Sequence, residues 1–342
     1  MTSGNLIGFE NIPQTLPHYC IESFRMNDKP DALAYKLGDA WHRISGAEAV
    51  EKLKRIAVGL SSLGVKAGDR IAIISENRPE WSLADLAILS LRAVNVPIYT
   101  TQAVEQIRYI LENSGAKMLC ISGKKLYKHA EEAIRSVERL EKLIFFDDDA
   151  IENVDPRSVT LDSVEKKGEE ILDREPSAFD ETLSTIETDD LATIIYTSGT
   201  TGEPKGVMLT HKNFVSNVDA ISKGLPIIKN DRSLAVLPLS HIFERTVFYV
   251  LCSNGVSINY CASFDQLASH LQEVKPTIMT AVPRLYETMH QRILRDVRKL
   301  TGMRKWLFHK AVELGRKQYE QADSLTLWER LLNWLCEVSV RK

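Results

Sequence analysis

The alternation of two hydrophobic patterns along this chain of 342 residues constrains its fold more than any other feature. Between residues 44 and 146, segments with apolar positions at helical spacing alternate with short, unbroken apolar runs. Such runs are typical of strands that are buried on both faces, and the helices between them connect parallel strands. The sequence therefore predicts an α/β fold with two largely parallel, doubly wound sheets and covering helices.

The strongest single helix signal starts at Ser45, which is expected to form a capping box with Glu48, and it stops at Gly64. The predicted helices of this block cover residues 44–64, 79–92, 103–113 and 128–140. The predicted strands cover residues 70–75, 96–99, 117–122 and 142–146. Residues 1–40 contain three scattered prolines, which predict an irregular segment.

The later part of the chain carries more widely spaced signals. Strands are predicted at residues 191–196, 234–237, 256–260 and 277–282. Helices are predicted at residues 211–221, 264–274 and 325–340. The acidic segment at residues 147–189 lies between the two series, and we expect it to lead from one sheet to the next. Its run of Asp147, Asp148 and Asp149 predicts a solvated loop, because three adjacent carboxylates cannot all face one metal ion.

A loop rich in glycine and hydroxyl groups follows the predicted strand at residues 191–196, and residues 196–206 read YTSGTTGEPKG. Two glycines allow a tight turn that brings backbone N–H groups close to an anion, and a lysine adds a full positive charge. The candidate ligands of a phosphate group are Thr197, Ser198, Gly199, Thr200, Thr201, Gly202 and Lys205. The nucleotide-hydrolase loop G-x-x-x-x-G-K-[ST] does not fit, because Pro204 takes the place of its second glycine.

This phosphate loop and the GVMLTHKNF that continues it resemble the signature of the acyl-adenylate-forming (AMP-binding) enzymes, in which the loop wraps the triphosphate of ATP. Residues 68–101 read GDRIAIISENRPEWSLADLAILSLRAVNVPIYTT and are similar to the long-chain fatty acyl-CoA ligase branch of that family. The same branch is indicated by LPLSHIFER around His241 and by AVPRLYE at residues 281–287.

The resemblance implies that a fatty carboxylate is joined to the α-phosphate of ATP, that pyrophosphate leaves, and that the acyl group passes to the thiol of coenzyme A. Lys205, the loop amides and Mg²⁺ would then offset the repulsion between the two anions. By the same resemblance, Thr200 helps to hold Mg²⁺, and His241 lies beside the carboxylate and acyl chain of the substrate. No protein nucleophile is required, because the adenylate is itself the activated intermediate.

Several motifs of the family do not occur in this sequence: Tyr-Gly-x-Thr-Glu, a late Ser/Thr-Gly-Asp, the hinge, and the small C-terminal domain with its catalytic lysine. We therefore expect a truncated chain with weak or no turnover on its own. Residues 1–186 are expected to form an N-terminal α/β subdomain. Residues 187–342 are expected to hold the phosphate-loop strand, part of a second α/β subdomain and a helical C-terminal excursion.

Two other functions stay open at this point. The first is adenylation of a different carboxylic acid, such as an aryl or amino acid. The second is a non-catalytic nucleotide-binding or membrane-surface module. The membrane interpretation rests on residues 284–342, where thirteen Lys or Arg residues face seven Asp or Glu residues and tryptophans are interspersed. An amphipathic helical excursion with a solvated basic face explains the same pattern.

Composition excludes several classes of function. The net charge of −3 provides no overall basic excess, so no nucleic-acid partner is expected. The five cysteines are odd in number and form no C-x-x-C pair, which favours reduced, buried thiols over a disulfide framework or a zinc site. No secretory leader and no apolar run of ~18 residues is present, so a cytoplasmic location with at most peripheral membrane contact is expected.

Four residues are expected to have structural rather than chemical roles. Trp81 and Tyr99 are expected to be core or interface aromatics. Glu244 and Arg245 are expected to pair with each other or with neighbours, without a chemical role. Arg284 stands where a predicted strand gives way to a helix, and it suits an anion contact, a helix cap or a salt bridge equally well.

Overall fold

The computed structural model describes residues 13–148, 154–197 and 203–320. The chain divides into two compact units, Met1–Thr280 and Ala281–Lys342. The domain boundary expected at residue 187 stays a prediction.

The first unit contains two sheets and the helices that cover them. Its strands are β1 (Leu33–Leu37), β2 (Ala40–Ile44), β3 (Arg70–Ile74), β4 (Val94–Ile98), β5 (Met118–Ile121), β6 (Lys142–Phe145), β7 (Ser158–Thr160), β8 (Leu191–Thr197), β9 (Lys205–Thr210), β10 (Arg232–Ala235) and β11 (Ser257–Tyr260). Its helices are α1 (Leu16–Asn27), α2 (Gly46–Ser62), α3 (Pro79–Ser90), α4 (Val104–Ser114), α5 (Lys124–Ser136), α6 (Leu161–Leu172), α7 (Ala178–Leu183), α8 (His211–Gly224), α9 (Ile242–Ser253) and α10 (Leu267–Val274).

The larger sheet has the strand order β7-β6-β5-β3-β4-β8-β9 and is parallel except for the β8–β9 hairpin. Both faces are covered, because alternate residues of β3 enter two different apolar clusters. Ile71 and Ile73 lie in one cluster, whereas Ala72 and Ile74 lie in the other. The predicted α/β class with parallel strands between layers of helices is therefore confirmed.

The smaller sheet has the order β10-β11-β1-β2 and joins the two ends of the first unit. Strand β1 is parallel to β11, with Leu33 opposite Ile258, and antiparallel to β2. The expectation that residues 1–40 are irregular is wrong for residues 13–40, which the structure describes and which contain α1 and β1. Pro17 lies in the first turn of α1, where the missing N–H of proline costs no helical hydrogen bond. Gly38 adopts a φ of 59° in the turn between β1 and β2.

Two further expectations differ from the structure. The acidic segment at residues 147–189 contributes β7, α6 and α7, and β7 extends the larger sheet. The strand expected at residues 277–282 is reduced to one bridge between Ser233 and Ile278. At this bridge the N–H groups of Thr277 and Ile278 both donate to the carbonyl of Arg232, rather than to successive carbonyls of β10.

The second unit contains two described helices, α11 (Pro283–Arg298) and α12 (Gly302–Glu320). Arg284 lies in the first turn of α11 and is exposed. The helix predicted at residues 325–340 lies outside the described residues, as does Cys336. The other four cysteines are free and buried. In the ranges that the structure describes, no helix combines the length and the apolar character needed to cross a bilayer.

Candidate functional site

The β8–β9 hairpin carries the phosphate loop. Thr197, the last residue of β8, stands opposite Lys205, the first residue of β9. Both ends of the loop are therefore fixed in one register, and the exposed ammonium of Lys205 has no partner among the described residues. Five of the predicted ligands lie outside the described residues: Ser198, Gly199, Thr200, Thr201 and Gly202. Their assignment to phosphate, and that of Thr200 to Mg²⁺, stays a prediction.

Tyr196 fixes the closing end of this hairpin. Its ring covers Gly206, where an added Cβ would stand 3.2 Å from the ring Cζ of Tyr196 and 2.8 Å from Cγ2 of Ile194. The Tyr196 hydroxyl donates to Oδ1 of Asn113 in α4 at 2.6 Å. Burial raises the pKa of Tyr196 to about 12, so the hydroxyl stays protonated and keeps this donor role. The packing of Tyr196 and Ile194 therefore favours glycine immediately after Lys205.

His241 is the residue immediately before α9 and caps its first turn. Its Nδ1 accepts a hydrogen bond from the backbone N–H of Phe243 at 3.1 Å. Because Nδ1 acts as an acceptor, the neutral imidazole carries its proton on Nε2, which remains available as a donor. The ring is exposed at the positive end of the helix dipole. A carboxylate is the kind of group that this arrangement binds.

Tyr99 connects His241 with the end of the larger sheet. Its ring lies edge-on to the His241 imidazole, with 6.3 Å between the ring centroids. Asn95 of β4 stands opposite Thr193 of β8 in a parallel pair. Tyr99 and Thr197 each follow by four residues, so they reach the same edge of the sheet. Burial raises the pKa of the Tyr99 hydroxyl, which therefore stays protonated. The sequence assigned Tyr99 only to the core or an interface.

Asn77 holds the segment that leads to His241. Its Nδ2 donates to the carbonyls of Ala235 at 3.2 Å and Leu237 at 2.7 Å, and its Oδ1 accepts from the N–H of Leu239 at 3.0 Å. Asn77 is buried just after β3 and thus joins the larger sheet to the approach to α9. Sequence reasoning missed this residue, although a polar side chain that directly follows a buried strand is a signal that could have found it.

Arg245 pairs with a residue distant in sequence rather than with Glu244. Its guanidinium donates from Nη2 to Oδ1 of Asp85 at 2.6 Å and from Nε to Oδ2 at 3.1 Å. Both side chains are completely buried. A signal was present in the sequence, because Asp85 and Arg245 each lie in a mostly apolar helix, where a buried charge needs a partner of opposite sign. Trp81 also lies fully in the core, as predicted.

Glu244 is buried in the first turn of α9, and its Oε2 has no hydrogen-bond partner among the described residues. Only 3% of the residue is exposed. Burial raises the pKa of its carboxyl group from 4.5 to about 8, so it is protonated at neutral pH. A neutral carboxyl group adds no negative charge beside the candidate carboxylate site.

The first residue of the acidic run that follows β6, Asp147, forms an ion pair. Asp147 accepts from Nη1 of Arg78 at 2.7 Å, whereas Asp149 lies outside the described residues. In the part of the chain that the structure describes, no group of three or more His, Cys, Asp or Glu residues is arranged to hold a metal ion.

Comparison with known proteins gives a consistent assignment. A family model described as AMP-binding enzyme matches residues 24–332. The Long-chain-fatty-acid--CoA ligase FadD15 of Mycobacterium bovis is 34% identical over 267 residues, which are 77% of this chain and 43% of that protein. Fatty acyl-CoA synthetase A of Dictyostelium discoideum is 30% identical over 305 residues, 87% of this chain and 44% of that protein. The chain thus spans less than half the length of these curated relatives.

Solved structures share the fold. The inhibitor-bound N-terminal domain of FACL13 from Mycobacterium tuberculosis has a TM-score of 0.65 at 25% identity, over 81% of this chain and 65% of that one. A red-emitting luciferase from Phrixothrix hirtus has a TM-score of 0.66 at 20% identity, over 79% of this chain and 51% of that one, which shows the fold alone. Because the family model covers most of its length, the chain belongs to the AMP-binding enzyme family, as its resemblance to the acyl-adenylate-forming signature predicted.

Proposed function

We propose that this chain is the phosphate- and carboxylate-binding part of an ATP-dependent long-chain fatty acid–CoA ligase. The proposed enzyme activates a fatty acid to acyl-AMP and transfers the acyl group to coenzyme A. The observation that supports this most is the meeting of two features at one sheet edge: the Thr197–Lys205 hairpin pair and the His241 ring against Tyr99. The names of the two curated relatives support the choice of a long-chain fatty acid.

Lys205 is proposed to bind the polyphosphate of ATP. Two unit negative charges ~4 Å apart repel by about 1 kcal/mol in water but by about 4 kcal/mol at an effective dielectric constant of ~20. A site that excludes water must therefore supply compensating positive charge. An exposed ammonium at the end of the phosphate loop, held in register by Tyr196 and Gly206, is suited to that task.

His241 is proposed to orient the substrate carboxylate. Its Nε2–H is the free donor of the ring, because Nδ1 already accepts from Phe243. A neutral imidazole positions the attacking oxygen without transferring a proton to it, since the carboxylate reacts as an anion. Tyr99 contacts the ring edge-on from the side.

Mg²⁺ is proposed to bind with ATP through Thr200, which lies outside the described residues. When bound, the ion would neutralise phosphate charge that Lys205 alone does not balance. The residues present fit a phosphate group, since a cation and a tightly packed glycine stand where the loop returns to the sheet.

We also propose that the chain acts in the cytoplasm and contacts membranes peripherally through residues 284–342. Trp306 and Met303 of α12 are 49% and 77% exposed among basic residues, a combination suited to an interfacial helix. Sedimentation with anionic liposomes, with and without residues 284–342, tests this proposal. Equal sedimentation of both forms would contradict it.

The central test is equilibrium binding of Mg-ATP to the chain of 342 residues. Lys205→Met is expected to weaken the affinity about tenfold or more, since a loss of ~1.4 kcal/mol corresponds to that factor. Lys223→Met is the matched control, because Lys223 is an exposed lysine whose ion-pair partner among the described residues is Asp219 on α8. Equal affinities of wild type and Lys205→Met would contradict the proposal.

Turnover is tested separately by fatty-acid-dependent exchange of pyrophosphate into ATP. The isolated chain is expected to show weak or no exchange, because the motifs for adenine, ribose and the catalytic lysine do not occur in its sequence. An acid panel that includes aryl and amino acids distinguishes the long-chain proposal from adenylation of another acid. Strong exchange with a non-fatty acid would overturn the substrate class.

A further inference from the structure

Arg245 connects three structural elements from inside the core, one helical turn after His241. Its backbone N–H donates to the carbonyl of His241 at 3.1 Å, so the two residues belong to the same first turn of α9. Its side chain is completely buried and leaves α9 toward α3 and β8. The guanidinium therefore links the start of the helix that presents His241 to α3 and β8.

The guanidinium is fixed to α3 by Asp85. The two hydrogen bonds use both carboxylate oxygens, which sets the plane as well as the position of the Arg245 fork. The hydroxyl of Tyr249, one turn further along α9, also donates to Oδ2 of Asp85. Helix α9 is thus bound to α3 through two successive turns.

The same guanidinium reaches the strand that carries the phosphate loop. Nη1 of Arg245 donates to Oγ1 of Thr193 in β8 at 2.7 Å, and that hydroxyl donates to the carbonyl of Asn95 in β4 at 2.7 Å. Asn95 in turn donates from Nδ2 to Oδ1 of Asp85 at 2.6 Å. Thr193 stands four residues before Thr197, and Asn95 stands four residues before Tyr99. The network therefore lies directly behind both candidate subsites.

Three aromatic rings surround the guanidinium of Arg245. The Cζ atom of Arg245 lies 5.8 Å from the ring centroid of Trp81, 5.4 Å from that of Phe214 and 5.7 Å from that of Tyr249. Buried ion pairs contribute little net stability compared with well-packed apolar residues of similar volume. The distinctive property of this network is therefore its geometry: one planar group makes hydrogen bonds to α3, β8 and another residue of α9.

We infer that Arg245 is a positioning residue that sets the His241 end of α9 against the ends of β4 and β8. This inference rests on the proposed function where it concerns binding. It goes beyond that function in naming Asp85, Thr193 and Asn95 as the residues through which the carboxylate and phosphate subsites keep their spacing.

The test uses Thr193→Val, which removes the hydroxyl that bonds to Arg245 and leaves the Asp85 pair intact. In the folded chain, labelled for histidine and tyrosine NMR signals, the nuclear Overhauser contact between His241 and Tyr99 is expected to weaken. Ser90→Ala is the matched control, because it deletes another completely buried hydroxyl that bonds only within α3. A purely structural role would leave the contact unchanged below the unfolding temperature.

A second variant, Asp85→Leu with Arg245→Met, removes both charges and keeps the core apolar. It is expected to weaken the same contact, which keeps the test decisive if Thr193→Val fails to fold. An unchanged contact in either folded variant would overturn the inference.

A ligand measurement connects the inference with binding. A non-hydrolysable acyl-sulfamoyl adenosine places its acyl group at the proposed carboxylate subsite and its sulfamoyl group at the position of the α-phosphate, so it spans the junction of the two subsites, whereas ATP leaves the carboxylate subsite empty. Thr193→Val is expected to weaken binding of the spanning ligand about tenfold more than binding of ATP. Equal losses for both ligands would overturn the inference. If wild type binds neither ligand, the proposed function fails, and the NMR contact still decides whether Arg245 positions His241.

Discussion

Gly168 of α6 lies directly against the backbone carbonyl of Arg55 in α2. A Cβ built on Gly168 would stand 1.9 Å from that oxygen, closer than any real contact. Gly59 of α2 meets Val164 of α6 in the same way, with 2.1 Å between its built Cβ and the Val164 carbonyl oxygen. The two helices therefore approach closely only because each provides a glycine at the contact.

Gly168→Ala is expected to lower the free energy of unfolding by roughly 1–3 kcal/mol, because backbone has to move to admit the methyl group. Urea unfolding measures the change. Gly224→Ala at the end of α8 is the control, since a Cβ there meets open space. The control is expected to be neutral or stabilising by up to ~1 kcal/mol. Similar losses in both variants would show that the contact is not tight.

In a double-mutant cycle, substitutions of Asp85 and Arg245 are expected to have strongly non-additive effects on the free energy of unfolding. Asp85→Leu alone is expected to lower the free energy of unfolding by about 3–5 kcal/mol, because it leaves a buried guanidinium without its carboxylate. Asp85→Leu with Arg245→Met is expected to recover most of that loss. The control Asp296→Asn, in a pair whose side chains are 71% and 73% exposed, should change stability by less than ~1 kcal/mol. Simple additivity in the buried pair would contradict this prediction.

Glu244 predicts a loss of stability as the pH rises. Its carboxyl pKa is raised from 4.5 to about 8, so between these values the unfolded chain has lost a proton that the folded chain keeps. The free energy of unfolding therefore falls with rising pH, by up to about 1.4 kcal/mol per pH unit from this group. In thermal unfolding measurements, the stability of Glu244→Gln relative to wild type should increase from pH 5 to pH 8. A constant difference between the two proteins would contradict the burial argument.

Because of His211, we expect the free energy of unfolding to depend on pH in the opposite direction at lower pH. Burial lowers the pKa of its imidazole from 6.5 to about 4, and its Nδ1 accepts from the N–H of Leu16 at 3.3 Å. Between these pH values the unfolded chain binds a proton that the folded chain does not, so stability is lost as the pH falls from 6.5 toward 4. His211→Gln should flatten this part of the curve. His42→Gln, at an exposed ring, should leave it unchanged.

Local signals in the sequence were sufficient to predict helix α2. Ser45 and Glu48 form the expected capping box, and the helix closes before Gly64, whose φ is 92°. These signals act within one or two turns of the chain, so no tertiary information is needed. Strand β1 could not be found in this way, because its partner Ile258 is distant in sequence and only the folded sheet brings them together.

The candidate site likewise has one part that a contiguous sequence pattern predicts and another that depends on the fold. The phosphate loop and Lys205 follow from a contiguous pattern of glycines, hydroxyls and a cation. Asn77 and Tyr99 come from segments distant from His241, and their relation to it depends on which strand ends meet. The buried partner of Arg245, Asp85, likewise comes from another helix. A polar residue enclosed by apolar neighbours marks a need for a partner, but the identity of that partner is a property of the fold.

Because β1 pairs with β11, the smaller sheet cannot be completed until most of the first unit has been synthesised. At ~5–20 residues per second, Leu33 leaves the ribosome roughly ten seconds or more before Ile258, its neighbour in the finished sheet, has been made. Throughout that interval the hairpin has an open edge that invites pairing with other nascent chains. We expect the early segment to need shelter by a chaperone, and the yield of correctly assembled protein to depend on how quickly translation reaches β11.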